Sequence, residues 1–342
     1  MNYIFLFIYV GSRREMRRRI FILAVLIIHF LAAIGQDELT IYVIPSKVKY
    51  DWSSPRMLMK SYIRNVKRNL IGKNSYILGH AFLQLRTDDD PDGIMTGMRA
   101  SSHKEPREMV LKEHYGLAIL GADMTGELES KKELREKIEH LSRKGRLAFM
   151  TIRINQEATG RMTEFFNAYK SGTEKEGSPG ARYGGAFWPR YRHEGAGCSA
   201  FVVSFLDVAG LLEEQFDRWL VKIDIPMELI GGPYNNGKHV DTRDIKKYDH
   251  WAGHNSTEKD PYEHFEIYDP TLMFEWIQEL VDHPEKENSF QYSSLKLNKA
   301  NGIYIDGTTM PVPESEPIFM ERKSPSIFID YFNSKYLLDN QE

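Results

Sequence analysis

One cysteine, Cys198, stands in a chain of 342 residues, and that count limits how the chain can be held together. No intramolecular disulfide can form, so the fold has to rest on apolar burial. The material is present: 42% of the residues are hydrophobic, enough for one large core or two ordinary ones. Where the chain resides then decides the environment of the thiol. Arg13, Arg14, Arg17, Arg18 and Arg19 precede an apolar run from Ile20 to Ala33, broken only by His29, and small residues Ala33 and Gly35 flank Ile34. This order of basic, apolar and small residues is that of a signal peptide. Residues 1–35 are therefore expected to be removed, and the remainder to be exported: periplasmic, envelope-associated or secreted. Met16 is an alternative initiator that leaves a signal peptide of ordinary length. The alternative is an uncleaved membrane anchor, against which stands a run shorter than the ~20 apolar residues of a spanning helix. A free thiol in an oxidising compartment is either a buried filler or a working nucleophile.

Removing residues 1–35 takes away five arginines and one glutamate, a net +4, and moves the formal charge from −3 to −7. A mildly acidic chain has no electrostatic reason to bind nucleic acid.

Along the chain, Leu39–Pro45 reads as a strand and Ser53-Ser54-Pro55 opens a helix running to about Lys67. Gly79-His80-Ala81-Phe82-Leu83-Gln84-Leu85 reads as a second strand, with His80, Phe82 and Gln84 on one face and Ala81, Leu83 and Leu85 on the other. The acidic stretch Asp88–Gly93 lacks the ligand spacing and closing Glu of a calcium loop and reads as a turn into Ile94–Met98. Tyr115–Ala122 and Leu147–Ile154 look like further strands. Between them, Glu127–Lys144 spaces Leu128, Leu134, Ile138 and Leu141 for one apolar helix face, and Gln156–Tyr169 reads as another helix. A Gly, Pro and aromatic loop, Ser171–Arg192, leads to an apolar helix from Cys198 to Gly210, with a helix or turn at 211–220 after it. Beyond it come a strand near Val221–Ile225, a polar loop from Gly231 to Pro261, a helix from Pro270 to Val281, and turns at Asn301-Gly302 and Asp306-Gly307.

Cys198 begins its helix, where unpaired backbone N–H groups and the helix dipole stabilise a thiolate. The same N–H groups can face the oxygen that becomes negative when a carbonyl is attacked. A thiolate also needs an imidazole in reach, in space rather than in sequence. Of the ten histidines after residue 35, most sit in polar, loop-like surroundings, whereas His80 is fixed by a strand just after a glycine. Cys198 and His80 are therefore the candidate nucleophile and base.

The strand Gly79-His80-Ala81-Phe82-Leu83, followed far along by Gly197-Cys198-Ser199-Ala200-Phe201-Val202, resembles the circularly permuted NlpC-like branch of the papain-like superfamily. In unpermuted members the cysteine helix precedes the histidine strand; here the histidine comes first, as in the YiiX-like hydrolases and the lecithin retinol acyltransferase group. The resemblance covers Leu39 to Leu212, including Tyr183. It implies an α+β papain-like fold, circularly permuted, with a mainly antiparallel sheet and the nucleophile helix packed on it. It also implies a third polar residue on the strand after the histidine strand. That strand, Ile94–Arg99, offers no His, Glu, Asp, Asn or Gln, so Thr96 is the nearest candidate and His103 lies just beyond.

The domain reading is a signal peptide at 1–35, a catalytic core at 36–212, and a continuation at 213–342 that completes or covers the core. The expected function is hydrolysis of an amide, ester or thioester by the Cys198/His80 pair, on a cell-wall (peptidoglycan-type) peptide or a lipid acyl group. The alternative is a non-catalytic exported envelope protein of the same fold, favoured by the missing third residue. This thiol chemistry calls for no metal and no organic cofactor. The rival metal reading, His250 and His254 with His239, Asp241 and His264, lacks the glutamate that follows the first histidine of the usual two-histidine protease motif. Gly-x-Ser-x-Gly is absent around Ser199 and Ser204, against a serine hydrolase.

Overall fold

The computed structural model describes residues 37–69, 78–102, 104–171, 179–253, 261–284 and 290–336. The expected signal peptide, the alternative start at Met16, His103 and His254 lie outside the described residues.

The first strand, β1 (Glu38–Ile44), is nearly all apolar because it is buried on both faces at the middle of a sheet. Helix α1 (Pro55–Asn69) follows, with proline at its first position. Strand β2 (His80–Arg86) pairs antiparallel with β1, placing His80 opposite Ile44 and Phe82 opposite Tyr42. The turn at Asp88–Gly93 closes a hairpin to β3 (Ile94–Thr96), and Asp92 there pairs with Arg135 and Lys131. Gly97 then breaks the strand. β4 (Met98–Ala100) leaves the main sheet to start a second one with β5 (Met124–Leu128) and β7 (Arg182–Tyr183), while α2 (Lys104–Leu111) bridges β4 and β5. Next come α3 (Lys131–Ser142), β6 (Ala148–Arg153) and α4 (Gln156–Ser171) ahead of β7, and α5 (Cys198–Val208) after it.

Residues beyond Leu212 contribute the antiparallel pair β8 (Leu220–Pro226) and β9 (Tyr262–Tyr268), helix α6 (Pro270–Asp282), strands β10 (Ser293–Leu297) and β11 (Ala300–Asp306), and α7 (Ile327–Tyr336). The six-stranded sheet runs β10-β11-β6-β1-β2-β3, parallel at the β11–β6 junction and antiparallel elsewhere. The protein is thus a mixed α+β fold dominated by antiparallel pairing.

Ala81, Leu83, Leu85, Met150 and Ile152 on one sheet face share a core with α4, α5 and α6 through Phe165, Phe201, Phe205 and Trp276. Tyr42, Phe82 and Phe149 on the other face pack under α3 through Leu134. Apolar periodicity on the strands and helices specifies both layers.

Several sequence expectations are corrected. Tyr115–Ala122 is not a strand: Leu117–Leu120 forms a 3-10 turn between Gly116, at φ 58°, and Gly121. A short apolar run does not by itself separate strand from buried turn. The helix expected from Glu127 starts only at Lys131, where Ser130 and Glu133 form a reciprocal capping box. Asn301-Gly302 lies inside β11, because Gly302 lets Phe149 approach; a Cβ would sit 2.5 Å from the ring. The turn is at Asn298, whose φ is 54°. The polar loop 231–261 carries buried Val240, Ile245 and Trp251, which join a second core beneath α1. The unforeseen strand β9 follows it.

Candidate active site

Cys198 is the first residue of α5, after Gly197 as N-cap, and no side chain caps the helix end. The N-cap residue therefore takes none of the first-turn N–H groups, and that of Cys198 goes to the Tyr183 oxygen instead. The body of α5 packs on the Ala81/Leu83/Leu85 face of β2, and the first turn reaches the end of that strand. There the sulfur is hydrogen-bonded to the His80 side chain, to the Ala81 backbone N–H and to the Tyr183 hydroxyl. The structure thus brings Cys198 and His80 together, although 118 positions separate them in sequence.

Both groups are almost wholly buried, His80 at 1% exposure and Cys198 at 7%. Gly79, at φ +81°, delivers the histidine: a Cβ there would lie 2.9 Å from the Ile44 carbonyl oxygen. The ring stacks against Phe82 at 5.9 Å between centroids. Its Nε2 lies 2.5 Å from Glu129 Oε2, which leaves Nδ1 to face the thiol.

Glu129 is the residue the sequence reading missed, and it takes the place expected of Thr96. Thr96 does not meet the imidazole: its hydroxyl donates to the Glu129 carbonyl oxygen at 3.4 Å. The Glu129 N–H in turn donates to the Gly97 carbonyl at 2.8 Å. Glu129 sits one residue past β5, the partner of β4, so the acid comes from one strand further along than the resemblance implied. Its other oxygen is hydrogen-bonded to Lys137 of α3, and Arg99 lies 3.9 Å away. The capping box at Ser130 was the available signal, because it ends the strand and starts the helix just after Glu129.

The electrostatics follow from these contacts. Burial pushes the thiol pKa up, but the His80 ring, the Ala81 N–H and the Tyr183 hydroxyl bring it below its ordinary value. Burial alone would lower the His80 pKa; the Glu129 carboxylate, with Cys198, raises it to about 9. Burial likewise works against the Glu129 charge, yet His80 and Lys137 hold its carboxyl far below the usual range. Near neutrality the arrangement favours an imidazolium held between a carboxylate and a thiol of lowered pKa. Burial also holds the Tyr183 phenol well above its usual value, so it remains a donor beside the sulfur, and its oxygen accepts the Cys198 N–H.

Four glycines let backbone close on backbone in the stretch ahead of Cys198. A Cβ at Gly184 would lie 2.6 Å from the Ala122 oxygen, at Gly185 2.3 Å from Leu120 oxygen, and at Gly195 2.4 Å from Arg182 oxygen, with Gly197 packed on Gly184. The loop is anchored through Glu194, which accepts the Trp188 N–H and two Arg322 bonds at 2.6 and 2.8 Å.

Among the described residues, the histidines of the rival metal reading do not gather. His264 pairs with Asp224, His250 with Asp249, and His239 stacks on His114. Among the described residues no group of three or more His, Cys, Asp and Glu converges to hold a metal ion. Compared with protein-family models, curated proteins and solved structures, the chain matches none.

Proposed function

We propose that the protein is a cysteine hydrolase, and the observation that carries the reading is the buried relay Cys198–His80–Glu129, built from three separate elements. Such a relay has a direct chemical use. The Cys198 thiolate attacks a carbonyl carbon, forming a C–S bond while the carbonyl electrons move to oxygen. Once the sulfur has attacked, the Tyr183 hydroxyl, its donor in the resting site, is the group placed to stabilise that developing charge. The tetrahedral carbon collapses, the bond to the leaving nitrogen, oxygen or sulfur breaks, and the imidazolium gives the leaving group its proton. Water then attacks the acyl-sulfur bond, His80 takes its proton, and the thiolate is released. Glu129 fixes the ring and stabilises its charged form without becoming protonated.

The order of histidine strand before cysteine helix supports a permuted papain-like topology. Cell-wall peptides and lipid acyl groups are the proposed substrate classes, met after export directed by residues 1–35.

The second reading is a non-catalytic exported envelope protein, favoured by closure of the site. A surface groove of about 540 Å³ is lined by Lys49, Trp52, Arg64 and their neighbours and by none of the relay residues. One experiment separates the two. The purified protein is titrated with a small alkylating thiol reagent across pH, beside model esters and peptide amides. Catalysis predicts alkylation that persists below pH 7, and hydrolysis lost completely in Cys198→Ala. Slow labelling with the pH dependence of a free thiol, near 8.5, would leave the non-catalytic reading.

A further inference from the structure

Charge on this protein is distributed very unevenly. Residues 47–69 hold seven basic side chains, Lys47, Lys49, Arg56, Lys60, Arg64, Lys67 and Arg68, against one acid, Asp51, in a chain whose residues 36–342 are net acidic. Helix α1 carries five of the seven and no acid. Arg56, Lys60, Arg64 and Lys67 recur at spacings of four and three, so they form one stripe along the helix. Lys60, Arg64, Lys67 and Arg68 are exposed. No carboxylate among the described residues pairs with any of these four. The opposite side of α1 is fixed by burial of Leu58 and Met59 in the second core, and Arg56 Nε donates to the Lys246 carbonyl at 2.8 Å. The stripe is thereby held facing outward.

The 540 Å³ groove opens beside this stripe. Its aromatic rings are committed: Tyr50 is 2% exposed, and the Trp52 indole N–H is bonded to Asp269 at 2.8 Å. What remains open includes the aliphatic Met57 and Leu272, with Arg64 at the rim. Leu78, 38% exposed, lies at the same end of the sheet, because its neighbour Gly79 packs on Ser46 and Pro270.

We propose that α1 and the adjoining groove are a docking face for an anionic lipid bilayer. Cationic side chains in a row beside an open aliphatic recess complement a surface made of anionic headgroups over hydrocarbon. A single-stranded nucleic acid or a glycan would be met instead by free aromatic faces, and here the rings are buried or tied. The acidic remainder of the chain orients this face toward the bilayer and the rest away from it. The inference is independent of the cysteine chemistry.

Hydrogen exchange of the full chain, read by mass spectrometry, tests the proposal and locates the contact even though residues 1–35 carry arginines and an apolar run of their own. With vesicles of phosphatidylcholine containing about one-third phosphatidylglycerol, exchange in residues 47–69 should slow about tenfold or more. Pure phosphatidylcholine vesicles, or about 0.5 M NaCl, should remove the protection. The triple variant Lys60→Glu, Arg64→Glu, Lys67→Glu changes only exposed positions and should lose it without unfolding. Protection confined to other segments, equal protection by neutral vesicles, or undiminished protection in the triple variant would each overturn the proposal. Protection by heparin or single-stranded DNA and not by vesicles would overturn it in favour of a polyanionic polymer.

Discussion

Glu129 and Glu194 are both 3% exposed, yet the structure uses their charges differently. Glu194 is met by a forked guanidinium, Arg322, and by a backbone N–H, and Arg322 also donates to the Ala186 carbonyl and lies 4.5 Å over the Tyr191 ring. Every partner is a fixed donor, so the pair joins the C-terminal segment to the loop ahead of the cysteine. Glu129 is met by an ammonium group, Lys137, and by an imidazole that can release its proton. One buried carboxylate fastens; the other sets the charge of a neighbour. Burial and a cationic partner are common to both, and the titratable partner makes the difference.

The sharpest way to break this comparison is to neutralise each network in turn. Glu129→Gln should keep the shape of the site and remove the charge behind His80, lowering hydrolysis roughly 10³-fold. The alkaline limb of Cys198 alkylation should move from about 9 toward 6.5, the ordinary histidine value. Arg322→Met should instead cost about 3 kcal/mol of stability, by leaving a carboxylate buried without its partner. It should leave the position of that limb where it is. Thermal unfolding and pH-dependent alkylation on both variants check this. A shared effect on the limb would erase the distinction between the two glutamates.

The α+β class with mainly antiparallel pairing and two of the three relay residues were legible in the sequence, for physical reasons. Cys198 opens an apolar run after glycine, and His80 begins an alternating strand; both are local patterns. Glu129 was hidden because acidic residues from Glu127 onward blend into a charged helix pattern. What separates them is a capping box and a pairing of β5 with β4, the latter a contact between distant residues. Strand β9 was hidden similarly: Tyr262-Glu263-His264-Phe265-Glu266 has mixed polarity because half of it is solvated on a two-stranded pair. Strand β11 depends on a partner far away in sequence, β6, and Asn301-Gly302 copies a turn signal within it.

A smaller effect should appear in stability against pH. The folded pKa of His80, about 9, lies above its unfolded value of 6.5. Its contribution is therefore fully present below pH 6.5 and is lost as pH rises through about 9. The difference corresponds to roughly 3 kcal/mol. In the parent, denaturant midpoints should fall between pH 6.5 and 9.5 by more than they do in Glu129→Gln. Parallel curves for the two proteins would show that Glu129 does not hold the imidazole charged, whatever its position in the structure.

The finest discrimination comes from Gly97, where the two sheets part. A Cβ built there would stand 2.7 Å from Phe82 Cβ and 2.8 Å from Glu129 Oε2. Phe82 is wholly buried between β2 and α3 and has little room to yield. The carboxylate is the mobile party, and it is the oxygen that holds His80. Gly97→Ala should therefore cost about 1–3 kcal/mol through overpacking and also shift the alkaline limb of Cys198 alkylation below about 9. Gly302→Ala makes the same kind of clash, 2.5 Å from the Phe149 ring, on a strand that does not touch the relay. It should lose comparable stability and keep the limb in place. If the two alanine variants show one and the same limb, the space at Gly97 serves packing alone, and the His80–Glu129 contact tolerates displacement that the buried relay should not.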